Sequence, residues 1–105
     1  GILNQRSQDM LTANNWNVCQ YAVLLHMLAD ASGLVAGELL HVVADAHIYD
    51  RHIPLVEEII KNTPYDAPKL IKTDDNTDFY KFTKDSYRLE DYKYSEFNHK
   101  IPVAI

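Results

Sequence analysis

The stretch from Trp16 to Ser32 constrains this chain more than any other. Val18, Tyr21, Ala22, Leu25, Leu28 and Ala29 recur at helical spacing, and Gly33 follows as a C′ terminator. The opposite side is hardly polar: Val23, Leu24 and Met27 leave only Gln20, His26 and Asp30 as wet positions. A helix apolar nearly all round is buried on most sides. With 105 residues, 47% of them hydrophobic, the chain has little to spare for wrapping such a helix completely. A missing N-terminal portion, a partner subunit, or both is therefore expected. The opening Gly1-Ile2-Leu3, with no initiator methionine, points the same way, to a processed terminus or a piece of a longer protein. The apolar run is not a membrane span, because Tyr21 to Ala29 is interrupted by His26 and falls far short of ~20 residues.

Glu38 to Tyr49 reads as a strand with two unlike faces. Leu40, Val42, Ala44, Ala46 and Ile48 form one uniformly apolar face, expected to pack on another sheet or on the helix. The other face carries Leu39, His41, Val43, Asp45, His47 and Tyr49, so its polar groups cluster toward one end. Asp50 is placed to cap a following helix through Ile53, Val56, Ile59 and Ile60, with Pro54 tolerable in its first turn. Lys69 to Lys72 and Tyr87 to Tyr92 read as short strands, Asp74 to Asn76 as a turn and Thr83 to Asp85 as a helical turn. No repeat, linker or low-complexity tract breaks the chain. The class is α+β, a mixed or antiparallel sheet packed on a long buried helix, in one domain or part of one.

Fifteen acids against ten bases give a net charge of −5. Binding to nucleic acid or to an anionic membrane through a general basic field is disfavoured, so an anionic ligand must be captured by a few local groups. One cysteine excludes an internal disulfide and a Cys₄ zinc site. With no signal peptide or acylation motif, a reducing, cytoplasmic setting is the default.

Arg6-Ser7 pairs a guanidinium fork with a hydroxyl, a combination that suits a phosphate monoester. In an extended segment Asp9 points with Ser7 while Arg6 points away, so spacing alone assembles no site. Asn17 suits a helix cap, with Gln20 completing a capping-box-like pair. A buried Asn also suits a base edge, since its amide offers one donor and one acceptor side. Asp45, His47 and Tyr49 could line a ligand cleft and bond hydroxyls. The same strand end could hold a metal through Asp45, His47 and His52, or be a satisfied polar network. The metal is the weakest of the three, because its spacing matches no familiar site. Cys19, in the apolar helix beside no local base or cation, reads as an inert thiol. His26, His41 and His99 have no partner visible in sequence and read as structural.

In their order, these residues resemble thymidylate synthase. The resemblance is carried by Gln5-Arg6-Ser7-x-Asp9, Asn17, Gly33-Leu34, Gly37-Glu38, Asp45-Ala46-His47-Ile48-Tyr49, His52, Ala67-Pro68-Lys69 and Pro102-Val103-Ala104-Ile105. It runs over essentially the whole chain and corresponds to the C-terminal part of that enzyme's single domain. The implied reaction is reductive methylation of dUMP to dTMP, with 5,10-methylenetetrahydrofolate supplying both carbon and hydride and no metal. By resemblance, Arg6 and Ser7 bind the nucleotide phosphate, Gln5 supports that pocket, Asn17 bonds the uracil edge, and His47 and Tyr49 bind the ribose hydroxyl. Asp9 contacts the pterin, and the tail with Ala104 and Ile105 closes over the folate. The whole enzyme is expected to be a homodimer.

The departures are specific. The family's catalytic cysteine lies upstream of the Gln-Arg-Ser motif, so no catalytic residue is expected in this chain, and Cys19 is not that nucleophile. The family's Leu-Gly-x-Pro-Phe becomes Thr12-Ala13-Asn14-Asn15-Trp16, and Ala13 is barred from the positive-φ geometries open to Gly. Ser95 to Lys100 replaces a His-Pro-x-Ile-Lys segment. The partner-subunit arginines of the family's phosphate site are absent. The expectation is a thymidylate synthase segment inactive on its own. The alternatives are a deoxynucleotide hydroxymethylase on the same scaffold, which carries Asp where Asn17 stands if cytosine-specific, or a non-catalytic fragment that folds or dimerises.

Overall fold

A largely polar run and an alternating strand pair with each other to make the first sheet. The computed structural model describes residues 1–103. Strand β1 (Ile2–Asp9) lies parallel to β2 (Leu40–His47), in the register Leu3 to His41, Gln5 to Val43, Ser7 to Asp45 and Asp9 to His47. Parallel strands need a crossover, and helix α1 (Asn14–Ser32) supplies it. Because side chains alternate across a strand, this register gathers Gln5, Ser7 and Asp9 with His41, Asp45 and His47 on one face, and leaves Asn4, Arg6 and Gln8 on the other.

Helix α1 starts at Asn14, with Ala13 as its cap residue at φ −114° and no side-chain cap. The loss of the family's glycine thus costs no strained backbone there. It ends as expected: Gly33 takes the left-handed conformation at φ 69°, and the Leu34 amide donates back to the Ala29 carbonyl at 2.9 Å. Its burial differs from expectation. Among the described residues only Ala29 is a buried apolar residue, while Trp16 is 79% and Leu28 48% exposed.

After β2, a 3₁₀ turn (Asp50–His52) leads into α2 (Ile53–Ile59) with Pro54 in its first turn. The expected Asp50 cap is not made. The intervening 3₁₀ turn makes His52 the residue before α2, and no side chain caps it. A second ladder pairs β3 (Lys69–Lys72) antiparallel with β4 (Tyr87–Glu90). Asp74 and Asn76 form the expected turn, the Asn76 amide donating to Asp74 Oδ1 at 2.9 Å. Thr83 to Asp85 is a hydrogen-bonded turn, not a helical one, closed by the Ser86 amide on the Thr83 carbonyl. This ladder docks on the end of α1, where the Tyr87 hydroxyl donates to Asp30 Oδ2 at 2.6 Å and Lys72 Nζ lies 3.8 Å from the same oxygen. Burial first, then the Asp30 carboxylate, push the Tyr87 phenol far up, so it stays a donor.

The architecture is α+β, with one parallel and one antiparallel ladder beside the long helix. The apolar face of β2 is not covered by the described residues: Leu40 is 57% and Val42 45% exposed, and α1 sits over the opposite, polar face. The radius of gyration is 16.3 Å, against about 13 Å for a compact domain of this length.

Candidate functional site

The site is built on the polar face of the parallel pair and the first turns of α1. Ser7 Oγ donates to Asp45 Oδ2 at 3.2 Å, and His47 Nδ1 lies 3.5 Å from that oxygen. Arg6 leaves β1 on the other face, as alternation requires, yet it borders the same hollow. That hollow, of about 330 Å³, is lined by Gln5, Arg6, Ser7 and Asn17, with Leu3, Asn4, Gln20 and Tyr21 completing it. Arg6 is exposed and forms no ion pair among the described residues. Its guanidinium fork is therefore available to an anion.

Asn17 is half-buried inside α1, not at its start, so it is not the helix cap. Its Oδ1 accepts from Gln5 Nε2 at 3.2 Å. Gln5 Nε2 also donates to the Ser7 carbonyl at 3.1 Å, and Gln5 Oε1 lies 3.2 Å from His41 Nε2. An amide oxygen can only accept, so His41 presents Nε2–H, Gln5 is fixed in one orientation, and Asn17 with it. Asn17 Nδ2 keeps both protons to donate, and Oδ1 keeps a second lone pair. His41 is the functional neighbour that sequence reading missed. Its signal was its position on the same strand face as Asp45 and His47.

At the far end of the face, Asp9 is held by its own turn. Oδ1 accepts from the Leu11 and Thr12 amides at 2.9 and 3.0 Å, and Oδ2 from the Thr12 hydroxyl at 2.5 Å. Burial pushes this carboxyl up, but the bonds from Thr12 and Leu11 and the charge of His52 outweigh it, leaving the group below its ordinary value. The His47 and Tyr49 rings meet edge to face at 5.1 Å, and Tyr49 meets His52 likewise at 5.5 Å. His52, 2% exposed, has turned away from Asp45 and His47: its Nε2 donates to the Pro102 carbonyl at 2.9 Å, with Arg51 donating to the Val103 carbonyl at 3.3 Å. The 3₁₀ turn thus ties the C-terminal segment to the site's edge. Among the described residues no group of three or more metal-ligating side chains is assembled. Ala104 and Ile105 lie outside the described residues. Cys19 is exposed on α1, where a buried thiol was expected, because none of the described residues covers that side of the helix. His99 also gains a partner that sequence did not show, Glu58 at 2.9 Å.

The sequence profile of the thymidylate synthase family matches residues 1–105. The chain is 43% identical to a thymidylate synthase of Clostridium beijerinckii, over 99% of this chain and 40% of that protein. It is 34% identical to one from Listeria monocytogenes, over 98% of this chain and 32% of that protein. Thermostable thymidylate synthase A from Bacillus subtilis superposes with a TM-score of 0.88 at 35% identity, covering 93% of this chain and 35% of that one. The chain thus spans two fifths or less of the length of these relatives, and over that span it belongs to the thymidylate synthase family.

Proposed function

We propose that this chain is the C-terminal part of a single thymidylate synthase domain, which in the complete polypeptide methylates dUMP reductively to dTMP. The observation that carries the reading is the hollow joining Gln5, Arg6, Ser7 and Asn17. It sets a cation with no ion pair among the described residues, and a hydroxyl, beside an amide of fixed polarity, the complement of a nucleotide. Arg6 and Ser7 take the phosphate. Asn17 takes the base edge, and its orientation through Gln5 and His41 suits uracil, whose O4 accepts and whose N3 donates. His47 and Tyr49, at the far end of the strand, take the ribose hydroxyl. The co-substrate 5,10-methylenetetrahydrofolate supplies carbon and hydride. Asp9, kept ionised, accepts from a pterin N–H donor, and Ala104 and Ile105 close the folate side. The nucleophile comes from outside this chain, whose own residues bind and orient.

A homodimer belongs to the same reading. The outer face of Ile2, Leu40 and Val42 is apolar and open, and a second copy would cover it. A cytoplasmic setting belongs to the same reading, since the one cysteine of this chain makes no internal disulfide. No described helix is long and apolar enough to cross a membrane.

The test is turnover. The complete polypeptide carrying this chain, given dUMP and methylenetetrahydrofolate, is expected to yield dTMP and dihydrofolate in equal amounts, and Arg6→Ala to raise the dUMP KM at least about tenfold. Hydroxymethyl-dUMP with tetrahydrofolate would identify the hydroxymethylase instead. The 105-residue chain alone is expected to make no product. Turnover abolished by Cys19→Ser would overturn the assignment of the nucleophile.

A further inference from the structure

The Asp9 carboxylate receives every hydrogen bond it has among the described residues from the turn that follows it, before α1. The backbone amides of Leu11 and Thr12 fill one lone-pair site each on Oδ1. The Thr12 hydroxyl alone holds Oδ2, at 2.5 Å. Restraint at both oxygens fixes the plane of the carboxylate, whereas restraint at Oδ1 alone leaves it free to swing. Thr12 stands where the resemblance expects leucine, a side chain with no donor. The exchange therefore adds a bond that a chain following the family pattern cannot make. Oδ2 still has a lone pair for a ligand.

We propose that Thr12 is a positioning residue for the pterin, acting through Asp9: its hydroxyl pre-sets the carboxylate plane in which a folate N–H donor is received. This rests on the reading of Asp9 as the pterin contact. A carboxylate already immobile loses no rotamer freedom when the ligand arrives, and freeing it returns that cost to binding. The effect falls on folate affinity and not on the nucleotide, because Thr12 does not line the hollow of Gln5, Arg6, Ser7 and Asn17.

In the complete polypeptide, Thr12→Val keeps the shape and the backbone amide and removes the hydroxyl. It is expected to raise the KM for methylenetetrahydrofolate about threefold to tenfold, with kcat and the dUMP KM within about twofold of the parent. Thr12→Ser is expected to restore the parent value. A purely structural cap would move both KM values or neither, and either pattern overturns the proposal. Asp9→Ala in the same assay separates the two layers. If it raises the folate KM while Thr12→Val does not, Thr12 has no positioning role and the reading of Asp9 stands. If it leaves the folate KM unchanged, both fall. Should Thr12→Val fail to fold, Thr12→Ala against Thr12→Ser carries the same comparison.

Discussion

Asn17 and Gln5 lie 12 residues apart and share one hydrogen bond, and its direction decides what the site can read. With Gln5 donating, Asn17 offers its N–H₂ to an acceptor such as uracil O4. Asn17→Asp keeps the bond from Gln5 but turns that donor into an acceptor. The kcat/KM for dUMP is then expected to fall about tenfold or more, and its advantage over dCMP to narrow, since a carboxylate accepts from the cytosine amine. Rates with both nucleotides, beside a melting curve, check this; an unaltered preference removes Asn17 from the site. The identity of Asn17 was legible in sequence. What prevents its amide from flipping was not, because His41 and Gln5 meet across 36 residues through a parallel register that no local pattern encodes. Asp9 carries a pH dependence of known sign. Its folded value lies below the ordinary 3.8, so its ionised form adds stability that is complete above that value and lost as pH falls through the lower folded one. The stability difference between the parent and Asp9→Asn, from denaturant unfolding of the complete polypeptide, should be larger at about pH 5 than below about pH 4, where the carboxylate protonates.

At the scale of elements, local chemistry is read most directly at the end of α1. Gly33 sits at φ 69°, and a methyl group added there would have nothing within 4 Å, so Gly33→Ala meets no clash and isolates the backbone cost. That substitution is expected to lower the stability of the complete polypeptide by about 1 kcal/mol. Gly37→Ala, equally open and not at positive φ, should leave stability unchanged or slightly raised. Equal losses at both glycines, in paired denaturant titrations, would remove the left-handed cap as the cause. The same locality explains which elements were legible. The period of α1, the alternation of β2, and β3 were readable because each is stated by consecutive residues. β1 was harder, because Asn4, Gln5, Arg6, Ser7, Gln8 and Asp9 form an unbroken polar run. They pair as a strand only because β2 lies alongside. Tertiary pairing overrides weak strand propensity there. The Asp50 cap failed for a related reason: a cap depends on where the first turn begins, and the 3₁₀ turn moved it.

For the whole molecule, burial is the quantity that sequence patterning misjudged, and it misjudged it informatively. The pattern of α1 asks for cover on most sides, and the pattern of β2 asks for cover on its outer face. Neither is met among the described residues. The accessible surface is 8408 Å², against about 6000 Å² for a compact monomer of 12.1 kDa. At roughly 25 cal/mol per Å² of apolar area, even half of that excess represents more than the 5–15 kcal/mol by which a typical domain is stable. The chain alone therefore lacks the burial that offsets its conformational entropy. Purified by itself, it is expected to melt broadly, without a cooperative transition, and to associate as its concentration rises. Replacing Leu40 and Val42 by lysine should weaken that association without restoring a cooperative melt, because it charges the outer sheet face and leaves α1 uncovered. In the complete polypeptide, the same pair should convert a dimer to monomers if that face joins two copies. Sedimentation and thermal circular dichroism of both lengths distinguish the outcomes. A sharp transition from a monodisperse 105-residue monomer would mean that the open helix and the open sheet face need no further protein to cover them.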